Sequence, residues 1–239
     1  MSRKKLRVVL VAPRNPLNIG AAARAMSNFG FFDLHLVNPY EVAFREARSA
    51  VHAGAVLEAA REWGTVAEAT AGCKLVVGTT AVGHRELKHT VRRLEAGGAL
   101  IRAALGAEEP VALLFGSEKF GLSNEDLSHC HWLMRIPARE EHGSMNLGQA
   151  VAVCLYELIR METGGVSAAA GAAKKLADAA MVERVADLLT EALNESGYVH
   201  SDSTPVKVRR LVMRMGLGPH DAEVLLGMVR QVLWKVRKG

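Results

Sequence analysis

What most limits the fold of this chain is an alternation between short apolar runs and longer helical stretches. Strand-like segments rich in Val and Leu stand at about Leu6–Ala12, Asp33–Val37, Leu75–Thr79, Val111–Phe115 and Trp132–Ile136. Helical patterns lie between them at about Ile19–Phe29, Ala43–Arg61 and Thr90–Leu105, and another runs from Asn146 to Glu162. Strands alternating with helices need crossover connections, which give parallel pairing with helices on both faces. The runs are almost continuously apolar, as strands buried on both faces are. The predicted class is α/β with a mostly parallel sheet.

Composition then shifts. Thr163–Lys175, "TGGVSAAAGAAKK", is small and featureless and reads as a flexible linker. Beyond it the pattern is helical: Leu176–Ser196 is amphipathic, Ser203-Thr204-Pro205 opens a helix over Val206–Met215, and Gly218-Pro219 precedes a last helix through about Val236. The expected organisation is an α/β domain over 1–162, a linker over 163–175 and a small helical domain over 176–239. The 239 residues, 49% hydrophobic and 23% charged, supply an ordinary globular core. No apolar run approaches the roughly 18 residues that span a bilayer, so no membrane segment is expected. Three cysteines without a CxxC pair point to a reducing cytoplasm. Ser128-His129-Cys130-His131 offers only adjacent ligands that do not close easily on one ion, so no metal is expected. A net charge of +5 hints at a polyanionic partner.

Ligands of parallel sheets sit at the carboxyl ends of strands. The first such loop, Pro13 to Asn18, has neither GxGxxG nor GxxxxGK[ST], so dinucleotide and P-loop chemistry is set aside. Glycines and hydroxyls cluster instead after later strands: Val77 to Ala81, Leu114 to Leu122, and Ile136 through Gly143 to Gly148. Each loop alone reads as turn glycines and a cap. Together they suit an uncharged or zwitterionic ligand such as an adenosine with a short tail.

Three stretches carry a specific resemblance: "NPLNIGAAARAM", "LLFGSEKFGLSNEDL" and "IPAREEHGSMNLGQAVAVCLYEL". They resemble, in order and spacing, the three motifs of the SPOUT-class (SpoU/TrmH-like) RNA 2′-O-ribose methyltransferases. The C-terminal "EALNESGYVHSDSTPVKVRRLVMRMGLGPHDAEVLLGMVRQVL" is similar to the helical extension of the TrmJ-type branch, which methylates cytidine or uridine at tRNA nucleotide 32 in the anticodon loop. The resemblance implies a trefoil-knotted domain, S-adenosylmethionine as methyl donor and a homodimer acting on tRNA. Alternatives are a ribosomal RNA methyltransferase and a non-catalytic RNA-binding protein.

Carried over residue by residue, the resemblance assigns catalysis to Arg24, Asn18, Glu118, Ser144 and Asn146. It assigns the cofactor to Thr79, Thr80, Ala81, Gly116, Ile136, Gly143, Ser144 and Met145. RNA contacts fall to Arg24 and two basic patches: Arg85, Lys88, Arg92 and Arg93, and Lys207, Arg209, Arg210 and Arg214. A guanidinium only donates, so Arg24 is expected to grip a phosphate and polarise the ribose rather than act as a base. The bland readings are a surface Arg24, a capping Glu118 and Asn146, and solvated charge runs. Val82 departs from the family pattern, where an arginine is expected, and Arg85 is the candidate substitute. Ala21, Ala22, Ala23 and Ala25, with Ala150 and Ala152, leave room for a close helix, which a SPOUT dimer would place across its two-fold axis.

Overall fold

The computed structural model describes residues 1–40, 54–81, 89–139, 144–160, 175–198, 201 and 203–238. A seven-stranded sheet, parallel at every pairing, has the order β3-β2-β1-β6-β4-β7-β5. The strands are β1 Leu6–Val11, β2 Asp33–Val37, β3 Arg61–Trp63, β4 Leu75–Thr80, β5 Val91–Arg93, β6 Val111–Phe115 and β7 Trp132–Arg135. The helices are α1 Pro16–Phe29, α2 Gly54–Glu58, α3 Val66–Thr70, α4 Leu94–Gly106, α5 Asn124–Ser128 and α6 Leu147–Ile159, followed by α7 Ala179–Glu195, α8 Thr204–Met215 and α9 Pro219–Lys238.

The two-residue period of a strand divides the sheet between two cores. Leu6, Val8 and Leu10 of β1 join Val77 and Leu113 in a cluster with residues of α1, α4 and α6. Val9, Val11, Val76 and Leu114 point the other way, toward α3 and α5. Cys154 belongs to the first cluster, and Cys73 and Cys130 to the second, all fully buried. A separate cluster containing Val185, Val212 and Leu226 unites α7, α8 and α9.

Two expected helices differ. Of Ala43–Arg61, residues 43–53 lie outside the described residues, Gly54–Glu58 is helical, and Arg61 begins edge strand β3. The front of Thr90–Leu105 forms β5, whose three residues are all exposed. Both strands are only three residues long with one apolar side chain each, so their strand character comes from pairing with β2 and β7, not from a hydrophobic pattern. Helices α3 and α5 were not anticipated, although each opens with a capping box, Thr65 with Glu68 and Ser123 with Asp126. Ser203 does precede α8, but its hydroxyl meets that of Ser201 and makes no cap bond. Residues 82–88 and 140–143 lie outside the described residues, as does nearly all of the expected linker over 163–175.

The small-residue face of α1 finds its partner in the same chain. Ala22 and Ala23 are fully buried, and α1 packs on α6 so closely that a Cβ added to Gly148 would lie 2.5 Å from the Cβ of Ala21. The intimate contact expected across a dimer is in this part intramolecular. Helix propensity alone would let Gly148→Ala gain about 1 kcal/mol. Overpacking of a close interface costs about 1–3 kcal/mol. Gly148→Ala is therefore expected to lower the denaturation midpoint, and an unchanged or raised midpoint would show that the contact is not tight.

Candidate functional site

The sheet order brings together what the sequence spreads over seventy residues. Because β4 lies between β6 and β7, the loops leaving their carboxyl ends converge. They enclose a cavity of about 430 Å³, a size typical of small-molecule sites. Thr79, Thr80 and Ala81 line it from the end of β4, Gly116 from β6, and Ile136, Ser144 and Met145 from the segment between β7 and α6. Gly143 lies outside the described residues. Leu122 and Leu127 add apolar wall, and Phe120, 68% exposed, stands at the rim. These three were missed, since nothing in a lone aromatic or a leucine pair marks a cavity wall.

The loop after β6 is tightly folded. Gly121 N–H donates to the Ser117 carbonyl at 2.8 Å, and Gly121 takes a φ of 66°. A Cβ on Gly116 would come within 2.0 Å of the Gly121 carbonyl carbon and 2.1 Å of the Leu122 nitrogen, so only glycine fits there. Behind it, the Thr79 hydroxyl donates to the Leu114 carbonyl at 2.9 Å and ties β4 to β6.

Along the edge of the cavity runs a polar chain. Asn146 caps α6 by accepting from the Gly148 and Gln149 N–H groups, and its Nδ2 donates to Asn18 Oδ1 at 2.7 Å. Asn18 Nδ2 in turn donates to Glu118 Oε1 at 3.0 Å. The Glu118 carboxylate also accepts the backbone N–H groups of Arg14 and Asn15 at 3.2 and 3.1 Å. Partial burial opposes its charge, but the bonds from Asn18 and the backbone outweigh this and hold its carboxyl below the usual range. Glu118 is thus an ionised tie at neutral pH, and Asn146 both caps α6 and lines the cavity.

Arg24 is exposed, lies away from the cavity lining, and forms no ion pair among the described residues. Six residues separate it from Asn18, about 9 Å along the helix. The expected basic patches divide. Arg85 and Lys88 lie outside the described residues, as does Val82. Arg92 stands over the Trp132 ring at 5.7 Å, and Arg93 pairs with Glu95 at 3.4 Å. Lys207 and Arg214 are exposed on α8 and Arg210 is half-buried. Arg209 turns inward: its Nε meets Glu183 at 3.0 Å, and its Nη1 meets both Glu125 and the Ser128 hydroxyl. Glu183 also pairs with His129 Nδ1 at 2.6 Å. Arg209 therefore bolts the helical extension to α5, which follows directly on the cavity loop. The neighbouring histidine, His131, accepts the Val76 N–H on Nδ1, and burial pushes it down to about 4.

Residues 5–156 match the SpoU rRNA Methylase family. The chain belongs to that family and is a methyltransferase. Relatives extend the likeness through the helical extension. A protein of Sodalis glossinidius (strain morsitans), named tRNA (cytidine/uridine-2′-O-)-methyltransferase TrmJ, is 34% identical over 95% of this chain and 91% of its own. The protein of the same name from Yersinia pestis (strain Pestoides F) is 36% identical over the same shares. The crystal structure of TrmJ from Z. mobilis ZM4 superposes with a TM-score of 0.81 at 30% identity, covering 95% of this chain and 98% of that one.

Two outcomes test the geometry. Gly116→Ala is expected to destroy the cavity loop, read as loss of ligand binding in calorimetry with secondary structure retained. For Glu118 the sign follows from its depressed folded-state pKa. Its contribution is present above the unfolded value of about 4.3 and is lost as pH falls through the folded value. Glu118→Gln should melt below the parent protein at pH 7, and the gap should close below about pH 4. A gap that persists in acid would mean that the charge of Glu118 is not what holds the loops.

Proposed function

We propose that the chain transfers the methyl group of S-adenosylmethionine to the ribose 2′-oxygen of cytidine or uridine in tRNA, at nucleotide 32 of the anticodon loop, as a cytoplasmic homodimer. The observation that carries this reading is the Asn146–Asn18–Glu118 chain, which joins the three family motifs at the rim of a cavity of cofactor size. The cavity suits the cofactor: apolar Leu122, Leu127 and Ile136 offer a surface for a purine, while glycine backbone and hydroxyls serve its polar groups. S-adenosylmethionine supplies an electrophilic methyl group when bound.

The residues then divide the work. Thr79, Thr80, Ala81, Gly116, Ile136, Gly143, Ser144 and Met145 form the cofactor bed. Glu118, held ionised, fixes Asn18 and the entrance to α1, so it positions rather than exchanges protons. Ser144, exposed at the cavity edge, is placed to meet the ribose. Arg24 grips the adjacent phosphate and polarises the hydroxyl, whose proton leaves to phosphate or water. Since Arg24 does not line its own cavity, the homodimer gives it a role: the partner subunit's Arg24 serves this cofactor. Arg85, Lys88, Arg92, Arg93 and the exposed face of α8 hold the RNA backbone.

The names borne by relatives over nearly the full chain support tRNA, and the family description, which names ribosomal RNA, supports the second reading. Mass-spectrometric mapping of ribose methylation after incubation with tRNA and with ribosomal RNA fragments decides between them. The expected product carries one new 2′-O-methyl group at nucleotide 32; methylation of ribosomal RNA alone would establish the alternative. Arg24→Lys should lose most turnover while cofactor affinity stays within about twofold, because an ammonium cannot make the bidentate contact. Full activity with lysine would remove that role.

A further inference from the structure

The helical extension reaches the back of the cavity wall, at a place that none of these roles explains. Among the described residues, none of α7, α8 or α9 lines the cavity itself. The apolar wall is made by Leu122 and Leu127, one just before and one within the five-residue helix α5. A helix that short has little stability of its own, so its tilt is set by whatever grips it.

The grip comes from the extension. Arg209 of α8 donates through Nη1 to Glu125 and, at 3.2 Å, to the Ser128 hydroxyl. Glu125 stands two positions before Leu127, about 200° round the helix, so α5 is held on one side by Arg209 and presents Leu127 on the other. The Nε of Arg209 donates to Glu183 of α7 at 3.0 Å, and Glu183 pairs with His129, just past α5, at 2.6 Å. Burial opposes the charge of Glu183, but the bonds from His129 and Arg209 outweigh it and hold the carboxyl below its ordinary range. A second contact does not depend on charge. Ala179, the first residue of α7, is buried in the same core cluster as Leu122 and Leu127, and its N–H donates to the Cys73 carbonyl at 2.6 Å. The extension is thus seated in the layer that carries the cavity wall. Without Arg209, Glu125 and Glu183 lose their shared cation, and stranded carboxylates relax by turning to water.

We propose that Arg209 is a positioning residue for S-adenosylmethionine: through Glu125 and Ser128 it sets the tilt of α5, and with it the Leu127 wall against which the cofactor lies. This role rests on the reading of the cavity as the S-adenosylmethionine site. It makes the helical extension a structural part of that site, and it gives the one arginine of α8 that turns inward a task distinct from holding RNA.

The test is calorimetry of the full chain with S-adenosylmethionine, run well below each variant's melting midpoint so that a loss of global stability leaves the Kd unmoved. Arg209→Gln is expected to weaken the Kd about tenfold, an ordinary scale for coupling between separate places in a fold. Glu125→Gln, at an exposed residue whose change leaves the fold intact, should weaken it in the same direction. The double variant should lose no more than Arg209→Gln alone, because both changes break one connection. Arg209→Lys keeps the charge without the fork and should fall between the parent and Arg209→Gln. Arg237→Gln is the control: Arg237 ties α9 to Glu191 and Glu195 of α7, within the extension, and its loss should leave the Kd within about twofold of the parent. Hydrogen exchange over residues 120–130, measured without ligand, should quicken in Arg209→Gln and Glu125→Gln but not in Arg237→Gln. An unchanged Kd in Arg209→Gln, or losses that add in the double variant, would overturn the role. Weaker tRNA binding by Arg209→Gln with cofactor affinity intact would make Arg209 an RNA contact and overturn it as well. A parent protein that binds no S-adenosylmethionine would remove the proposed function; quickened exchange would then still leave Arg209 positioning the cavity wall, and unchanged exchange would overturn that too.

Discussion

Everything at the site hangs on one carboxylate. Glu118 stands just past β6, yet its oxygens take up the backbone N–H groups that lead into α1 and the amide of Asn18. These donors belong to an entrance that would otherwise face water unpaired, at the positive end of a helix dipole. Satisfying them with an anion from another loop welds two loops more than a hundred residues apart in sequence. Asn146 extends the weld to α6. The sheet brings the loops near, and the carboxylate makes them one body.

The extension adds a second constraint of the same type. Arg209, Glu125, Glu183 and His129 form a mostly buried ionic knot of side chains between α8, α7 and the segment just after the cavity loop. Such clusters are worth little if they are compared with apolar packing, but removing one member is costly because it strands the others. Their geometry gives α8 a fixed rotation, with Arg209 inside, Arg210 half-buried and Lys207 and Arg214 exposed.

Legibility in the sequence followed the strength of local signals. Strands β2 and β6 were read at their observed bounds, because Val111–Phe115 is a dense apolar run and Asp33–Val37 carries Leu34, Leu36 and Val37 between turn residues. Asn18, Glu118 and Asn146 were named from motifs, and their mutual bonds then explained why those residue types stand there. Arg209 could not be told from Arg210: in a run of basic residues only tertiary contact says which one turns inward. Strands β3 and β5 were invisible for a related reason, since three residues with a single apolar side chain among them acquire strand geometry from a neighbour. The close packing of Ala21 on Gly148 was legible as an intent to pack closely, but not as to which helix would answer.

The placement of the three cysteines has a practical consequence. Cys154 lies in the core beneath α1, α4 and α6, and Cys73 and Cys130 lie on the opposite side of the sheet. Burial raises all three thiols above their ordinary range, so the reactive thiolate is scarce until the interior opens. Alkylation in the native state must then wait for local or global unfolding, and its rate at each cysteine measures how often that side of the sheet exposes itself. The chain thus carries its own reporters of breathing on each face, with no surface thiol to blur the signal.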